Sequence, residues 1–110
     1  MLPSKNRLTK RTDFANVYRK GTFFIEGPLS IKVARNNLEN ARIGFSIEKK
    51  FFKKATERNR IKRLLREAFH QNLDNVRKDC DIVVFYKKSE PNPDLKIILE
   101  LTKKIIKRIK

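Results

Sequence analysis

Apolar residues recur along this chain with more than one period. From Lys10 to Lys20, Phe14, Val17 and Tyr18 stand at i, i+3 and i+4, the spacing of one helix face. Thr9 or Thr12 is placed to cap its start, and Gly21 stands where a left-handed residue often ends a helix. Between Thr22 and Lys50 the pattern becomes extended. Thr22-Phe23-Phe24-Ile25 runs into a Gly27-Pro28 break, and Leu29 to Ala34 then alternates with period two. Ala41 to Glu48 alternates again, with Ile43, Phe45 and Ile47 on one face. Asn36 to Asn40 reads as a turn, because asparagine side chains hydrogen-bond their own backbone. Two or three antiparallel strands are the simplest expectation.

The fullest helical stripe lies between Thr56 and Leu73, where Ile61, Leu64, Leu65, Ala68 and Phe69 occupy i, i+3, i+4, i+7 and i+8. Thr56 is the expected N-cap, and Glu57 suits the positive end of the helix dipole. Cys80 to Tyr86 holds a continuous β-branched and aromatic run, which predicts an interior strand. Pro91-Asn92-Pro93-Asp94 then starts a last helix, with Asn92 as N-cap and Pro93 in the first helical position. Leu95, Ile98, Leu99, Thr102, Ile105, Ile106 and Ile109 form its apolar face, and Lys103, Lys104, Lys107, Arg108 and Lys110 gather at its C-terminal end. The order helix, strands, helix, strand, helix predicts an α+β fold in one domain over residues 1–110, with helices packed on a small sheet.

Composition narrows the function. A chain of 110 residues has room for one modest core, and 39% hydrophobic residues are too many for a disordered basic tail. Lys and Arg number 28 against 12 Asp and Glu, a net charge of +16. So dense a charge repels itself unless a polyanion neutralises it, which points to nucleic acid. The single Cys80 excludes an internal disulfide. Met1 to Arg7 has no apolar run of the signal-peptide kind, and no stretch reaches the roughly 18 apolar residues of a membrane span, so a soluble, cytoplasmic protein is expected.

The charge is concentrated. Between Lys49 and Arg66 stand Lys49, Lys50, Lys53, Lys54, Arg58, Arg60, Lys62, Arg63 and Arg66, with Glu57 as the one acid. Like charges at i,i+4 destabilise a helix by a few tenths of a kcal/mol per pair, so a one-signed face is a poor structural choice. An ordinary solvated face mixes signs. Arginine forks grip phosphate bidentately, so this face suits a phosphate backbone. Asn59, among the cations, reads either as a helix-start residue satisfying backbone or as a positioned hydrogen bond to a nucleotide or a metal-bound water. Phe14 and Tyr18, one turn apart, can stack bases or serve as core. Catalytic groups are sparse. His70 and Cys80 have no companions for a zinc site or a triad, and Asp79 and Asp81 read as ordinary residues flanking a strand start.

The same residues carry a resemblance. Lys49-Lys50, followed by Ala55-Thr56-Glu57-Arg58-Asn59-Arg60-Ile61-Lys62-Arg63-Leu64-Leu65-Arg66-Glu67-Ala68-Phe69, resembles the signature of the bacterial ribonuclease P protein subunit, whose hallmark is the Arg-Asn-Arg core with the following Lys-Arg and Arg. Arg7-Leu8, Asp13-Phe14, Val17-Tyr18 and Gly21 are similar to that family's N-terminal helix, and Arg42 to Ile47 and Asp79 to Tyr86 to two of its strands. Two departures stand out: Phe51-Phe52-Lys53-Lys54 where the family usually has a Gly soon after the lysine pair, and Thr56 where a hydrophobic residue usually follows the Ala.

The resemblance implies an αβββαβα order with a small mixed four-stranded sheet, a ribosomal protein S5 domain 2-like fold. It also implies a subunit of a ribonucleoprotein endonuclease that frees the mature 5′ end of tRNA, with the chemistry in an RNA subunit that binds Mg2+. The catalytic RNA and precursor tRNA are the partners it implies, with no membrane and no obligate protein partner. Carried over, ribozyme binding falls on Lys49, Lys50, Arg58, Asn59, Arg60, Lys62, Arg63 and Arg66, and contact with the 5′ leader on Phe14, Tyr18 and Lys32; no residue is expected to be catalytic or to bind metal. A ribosomal-type structural RNA-binding protein is the alternative, and a stand-alone nuclease is a third reading, disfavoured by the absence of a carboxylate cluster for two metals.

Overall fold

The alternation of apolar residues sorts them onto the two faces of one sheet. The computed structural model describes residues 2–87 and 93–109. The chain runs α1 (Arg11–Lys20), β1 (Thr22–Glu26), β2 (Leu29–Arg35), β3 (Arg42–Phe45), α2 (Ala55–Gln71), β4 (Cys80–Tyr86) and α3 (Leu95–Ile106), the expected αβββαβα order. Short 3-10 turns occupy Ser4–Asn6 and Leu73–Asn75.

The sheet order is β1-β2-β4-β3. β1 and β2 form an antiparallel hairpin around Gly27-Pro28, and β4 pairs antiparallel with β2. β3 is not the third strand of an antiparallel meander. It lies beyond β4 and runs parallel to it, Ile43 opposite Ile82 and Phe45 opposite Val84. Period-two alternation shows which face a residue takes and says nothing of its partner. The crossover through α2 requires a parallel return, and the apolar run of β4, buried on both faces, belongs inside the sheet.

One face carries the larger core. Ile31, Ile43, Ile82 and Val84 meet Ile61, Leu65, Ala68 and Phe69 of α2 and Ile98 and Ile105 of α3. Each fully buried large apolar side chain there contributes about 1.5–3 kcal/mol relative to exposure. The other face carries only α1, whose Val17 packs with Leu8, Ala34 and Val83, flanked by the half-buried Phe14 and Phe85. Each sheet edge is interrupted by a contact from another segment. Arg7-Leu8 lies along β3, with Leu8 N–H donating to Ile43 O at 3.0 Å. On β1, the Arg108 guanidinium donates to Ile25 O and pairs with Glu26 at 3.7 Å.

Several helix-end expectations are corrected. Lys10, not a threonine, occupies the N-cap of α1, with Asp13 answering the dipole in its first turn. Gly21 has φ −71, so it is not left-handed; glycine is required because a Cβ would lie 2.5 Å from Val17 O and 3.2 Å from the Lys32 Cβ. Thr56 lies inside α2, and Lys54 is the N-cap without a side-chain bond. The helix stops at Gln71 rather than Leu73, because Asn72 turns its amide back to donate to Ala68 O at 2.8 Å. Asn92 lies outside the described residues. Pro93 precedes the helix, and Asp94 is the N-cap of α3, accepting from Ile97 N–H at 3.0 Å.

Candidate nucleic-acid interface

A helix repeats every 3.6 residues, so the core stripe of α2 fixes where its other side chains point. With Ile61, Leu65, Ala68 and Phe69 buried, Asn59, Arg63, Arg66 and His70 are exposed on the outer side and Lys62 is half-buried beside them. The ion pairs formed among the described residues all lie elsewhere, at Arg35, Arg42, Lys50, Arg77 and Arg108. No lysine or arginine of α2 stands within ion-pair distance of a described acid. The rim is therefore a rigid row of charge, backed by the core and open to a polyanion.

Not every arginine of the motif belongs to that row. Arg58 is half-buried and donates to Phe52 O at 2.8 Å and Lys53 O at 3.0 Å, fastening the loop that leads into α2. Arg60 points to the opposite flank and donates to Pro93 O at 2.9 Å, joining α2 to the start of α3. A guanidinium has five donors, so both retain capacity for phosphate, but each also does structural duty. Thus Asn59, Lys62, Arg63 and Arg66 come together, while Arg58 and Arg60 diverge. Lys49 and Lys50 are exposed in the preceding loop, where Lys50 pairs with Glu48 at 3.4 Å and lies 5.0 Å over the Phe51 ring.

The rim reaches around the sheet edge. The Arg66 guanidinium lies 5.8 Å over the Phe45 ring, and Arg66, Arg7, Phe14 and Gly44 border one cavity of about 160 Å³. Gly44 makes this close approach possible: a Cβ there would stand 2.4 Å from Phe14 Cζ. The Phe14 ring accordingly lies flush against β3.

Beyond Phe14 the rings continue along α1. Phe14 and Tyr18 have centroids 6.4 Å apart, and Tyr18 and Phe85 6.0 Å. Lys32 donates from Nζ to Tyr18 O at 3.0 Å and sits 6.0 Å over its ring. The three residues singled out for a leader cleft, Phe14, Tyr18 and Lys32, are thus brought together. Phe85 is a fourth member that the sequence reading missed. No local signal marked it: Asp81, Val83 and Phe85 share a face of β4, but of the seven residues of the strand only Phe85 is not buried.

That acid is not an ordinary turn residue. Asp81 is 2% exposed and accepts from Arg42 at 2.7 and 2.8 Å and from Asn36 at 2.8 Å. Arg42 also reaches Asp13 of α1 at 3.1 Å. The hydrogen bonds that Arg42 donates to Asp81 hold its guanidinium above its ordinary pKa. Asp13, Arg42 and Asp81 thereby pin the start of α1 to the sheet and set the height of its aromatic rings. Asp79, in the turn before β4, is held below the usual carboxylate range by its hydrogen bond from Arg77.

Among the described residues no three His, Cys, Asp or Glu side chains converge to hold a metal ion, and no helix is long and apolar enough to cross a membrane. Cys80 is buried, and that burial pushes its thiol pKa up, away from a reactive thiolate. His70 is exposed at the end of α2. The arrangement sets a row of exposed cations on the outer side of α2 and a group of aromatic rings on the face beside α1.

Comparison with known proteins agrees with this geometry. The family described as Ribonuclease P matches residues 2–110. The chain is similar to the Ribonuclease P protein component of Pseudanabaena sp. (strain PCC 6903), 42% identical over 111 residues that cover 94% of this chain and 96% of that protein. It is 35% identical to the component of the same name from Clostridioides difficile (strain 630), over 92% of this chain and 89% of that one. Among solved structures, the RNase P protein from Thermotoga maritima in complex with 1-(4-fluorophenyl)-2-thiourea superposes with a TM-score of 0.86 at 31% identity, covering 94% of this chain and all of that one, a coverage of 100%. The RNase P protein of Staphylococcus aureus superposes with a TM-score of 0.83 at 26% identity, covering 96% and 95%.

Proposed function

The chain belongs to the ribonuclease P protein family, and on that premise we propose that it is the protein subunit of a ribonucleoprotein endonuclease that removes the 5′ leader of precursor tRNA, with its RNA partner performing the cleavage. The observation that carries this reading is the outer rim of α2, where Asn59, Lys62, Arg63 and Arg66 stand on a core-backed helix with no acidic partner among the described residues. That rim grips the folded catalytic RNA through its phosphates. The fit over residues 2–110 favours this over the ribosomal-type alternative.

Phe14, Tyr18 and Lys32, joined by Phe85, form the cleft for the single-stranded leader. Stacking on such rings contributes about 1–3 kcal/mol per base with little sequence preference, which suits leaders of varied sequence. The cations lower the repulsion between two RNAs brought side by side. On this reading the Mg2+ that the chemistry needs is held mainly by the RNA partner.

Reconstitution tests the reading. Together with the family's RNA subunit, the protein should lower the magnesium needed to cleave precursor tRNA and raise affinity for precursor over mature tRNA. Cleavage of precursor tRNA by the purified protein free of RNA would overturn the division of labour. Recovery of ribosomal RNA in place of the catalytic RNA with the tagged protein would restore the ribosomal-type reading.

A further inference from the structure

Resting on the reading of the α2 rim as the grip on the catalytic RNA, we propose that Arg58 is a positioning residue. It acts on RNA binding through the loop before α2, whose Lys53 and Lys54 it holds in place beside the rim, and not through a phosphate of its own. By spacing, Arg58 heads the row of Lys62 and Arg66, at i, i+4 and i+8. Its side chain leaves that row. One nitrogen, Nη1, donates to Phe52 O at 2.8 Å and to Lys53 O at 3.0 Å, and the residue is half-buried where Asn59, Arg63 and Arg66 are exposed. A cation near the start of a helix stands at the positive end of the dipole, where it is disfavoured. Two carbonyl oxygens turned toward it offset that cost.

The loop has reason to need this clasp. Phe52 is 2% exposed and its ring lies 6.5 Å from that of Tyr86, so one end of the segment is anchored in the core. At the other end Lys54 is the N-cap of α2 and makes no side-chain capping bond; its carbonyl accepts from Glu57 and Arg58 N–H at 3.1 and 3.2 Å. Lys53 and Lys54 are both exposed and take part in none of the described ion pairs. Their mutual repulsion favours a spread of conformations over one. Ordering such long side chains and their backbone at the moment of binding costs affinity, and ordering them beforehand avoids that cost. Arg58 supplies the order, because it holds the carbonyl of Lys53 itself and that of the core-anchored residue before it. The competing role, a phosphate held by Arg58 directly, predicts contributions from Arg58 and the loop lysines that simply add.

The test pairs hydrogen exchange of the free full-length protein with its affinity for the catalytic RNA. Arg58→Ala should speed amide exchange from Lys53 to Glu57 by about tenfold and leave Ile61 to Phe69 unchanged. It should also weaken RNA binding by roughly tenfold. Lys53→Gln combined with Lys54→Gln should weaken binding about fivefold in the wild-type background and less than about twofold beside Arg58→Ala, since lysines freed from the clasp no longer count. Equal losses in the two backgrounds, or weaker binding with loop exchange at the wild-type rate, overturn the proposal in favour of a direct phosphate contact. Faster loop exchange with unaltered affinity overturns it as well, and leaves Arg58 a purely structural role. Should Arg58→Ala fail to fold, Arg58→Lys decides the matter, because it keeps the charge on a different donor geometry. It should lose loop protection and affinity in the same proportion, and wild-type affinity with an unprotected loop refutes the positioning role. Arg63→Ala separates this proposal from the reading it rests on. If Arg63→Ala weakens RNA binding and Arg58→Ala does not, the positioning role alone falls; if neither does, the rim reading falls with it.

Discussion

The two faces of the sheet are made of the same strands and serve opposite purposes. Toward α2 and α3, the side chains of β2, β3 and β4 are sealed: Ile31, Ile43, Ile82 and Val84 are at most 1% exposed. Toward α1, one helix of ten residues covers the middle of the sheet, leaving Tyr18 and Phe23 about half in water and Phe85 half-buried. The sealed face supplies stability and holds the cationic rim of α2 rigid from behind. The open face gives up burial at its margin to keep aromatic rings available. On the proposed reading, adjacent layers of one small fold separate the energy of folding from the energy of binding.

This contrast can be broken from either side. The largest expected effect is on the sealed face: Phe69→Ala should cost about 3–5 kcal/mol of stability, read by denaturant unfolding, since Phe69 is fully buried. A loss below about 1 kcal/mol would mean that the core is not where stability resides. On the open face, Phe14→Ala should weaken precursor binding by about 1–3 kcal/mol and leave mature tRNA nearly unchanged, measured by competition. Equal losses for the two RNAs would remove the ring from the leader cleft.

Charge effects sharpen the comparison further. Arg63→Ala should leave stability within about 0.5 kcal/mol of wild type, because its side chain is exposed and unpaired among the described residues. The slope of log K against log salt for catalytic RNA should fall by about 0.7–0.9. Arg60→Ala should differ by also losing stability, since it holds Pro93 O; identical unfolding curves for the two variants would refute that tie. The smallest effect is acidic. Asp79 has a folded pKa below its unfolded value of about 3.9, so its contribution is complete above that pH and is lost as pH falls through the folded value. Asp79→Asn should flatten this acid limb and lower stability by a constant amount at every pH above it.

Much of this was legible before any fold was known. The stripe Ile61, Leu65, Ala68, Phe69 set the orientation of α2, because a helix fixes its own faces within a few residues, and it thereby placed Asn59, Lys62, Arg63 and Arg66 outside. Phe14 and Tyr18 were visible for the same reason. Phe85 was hidden in a run that reads as uniformly apolar. Arg42 and Asp81, 39 residues apart in sequence, gave no local sign of their pairing. Arg58 and Arg60 looked alike in the motif, yet one clasps a loop and the other a neighbouring helix.

By itself, then, the sequence determined the order and faces of the elements and the sign and position of the charge, leaving the first strands at two or three, since these follow from spacing along a single segment and from composition. Tertiary structure alone decided that β3 lies parallel beyond β4, that Asp13, Arg42 and Asp81 join to hold α1 above the sheet, and that rings from α1, β1, β4 and the loop after β3 meet on one face. Those outcomes depend on which distant segments become neighbours. Local periodicity cannot encode that choice, because it is made when the whole chain minimises its exposed apolar surface together.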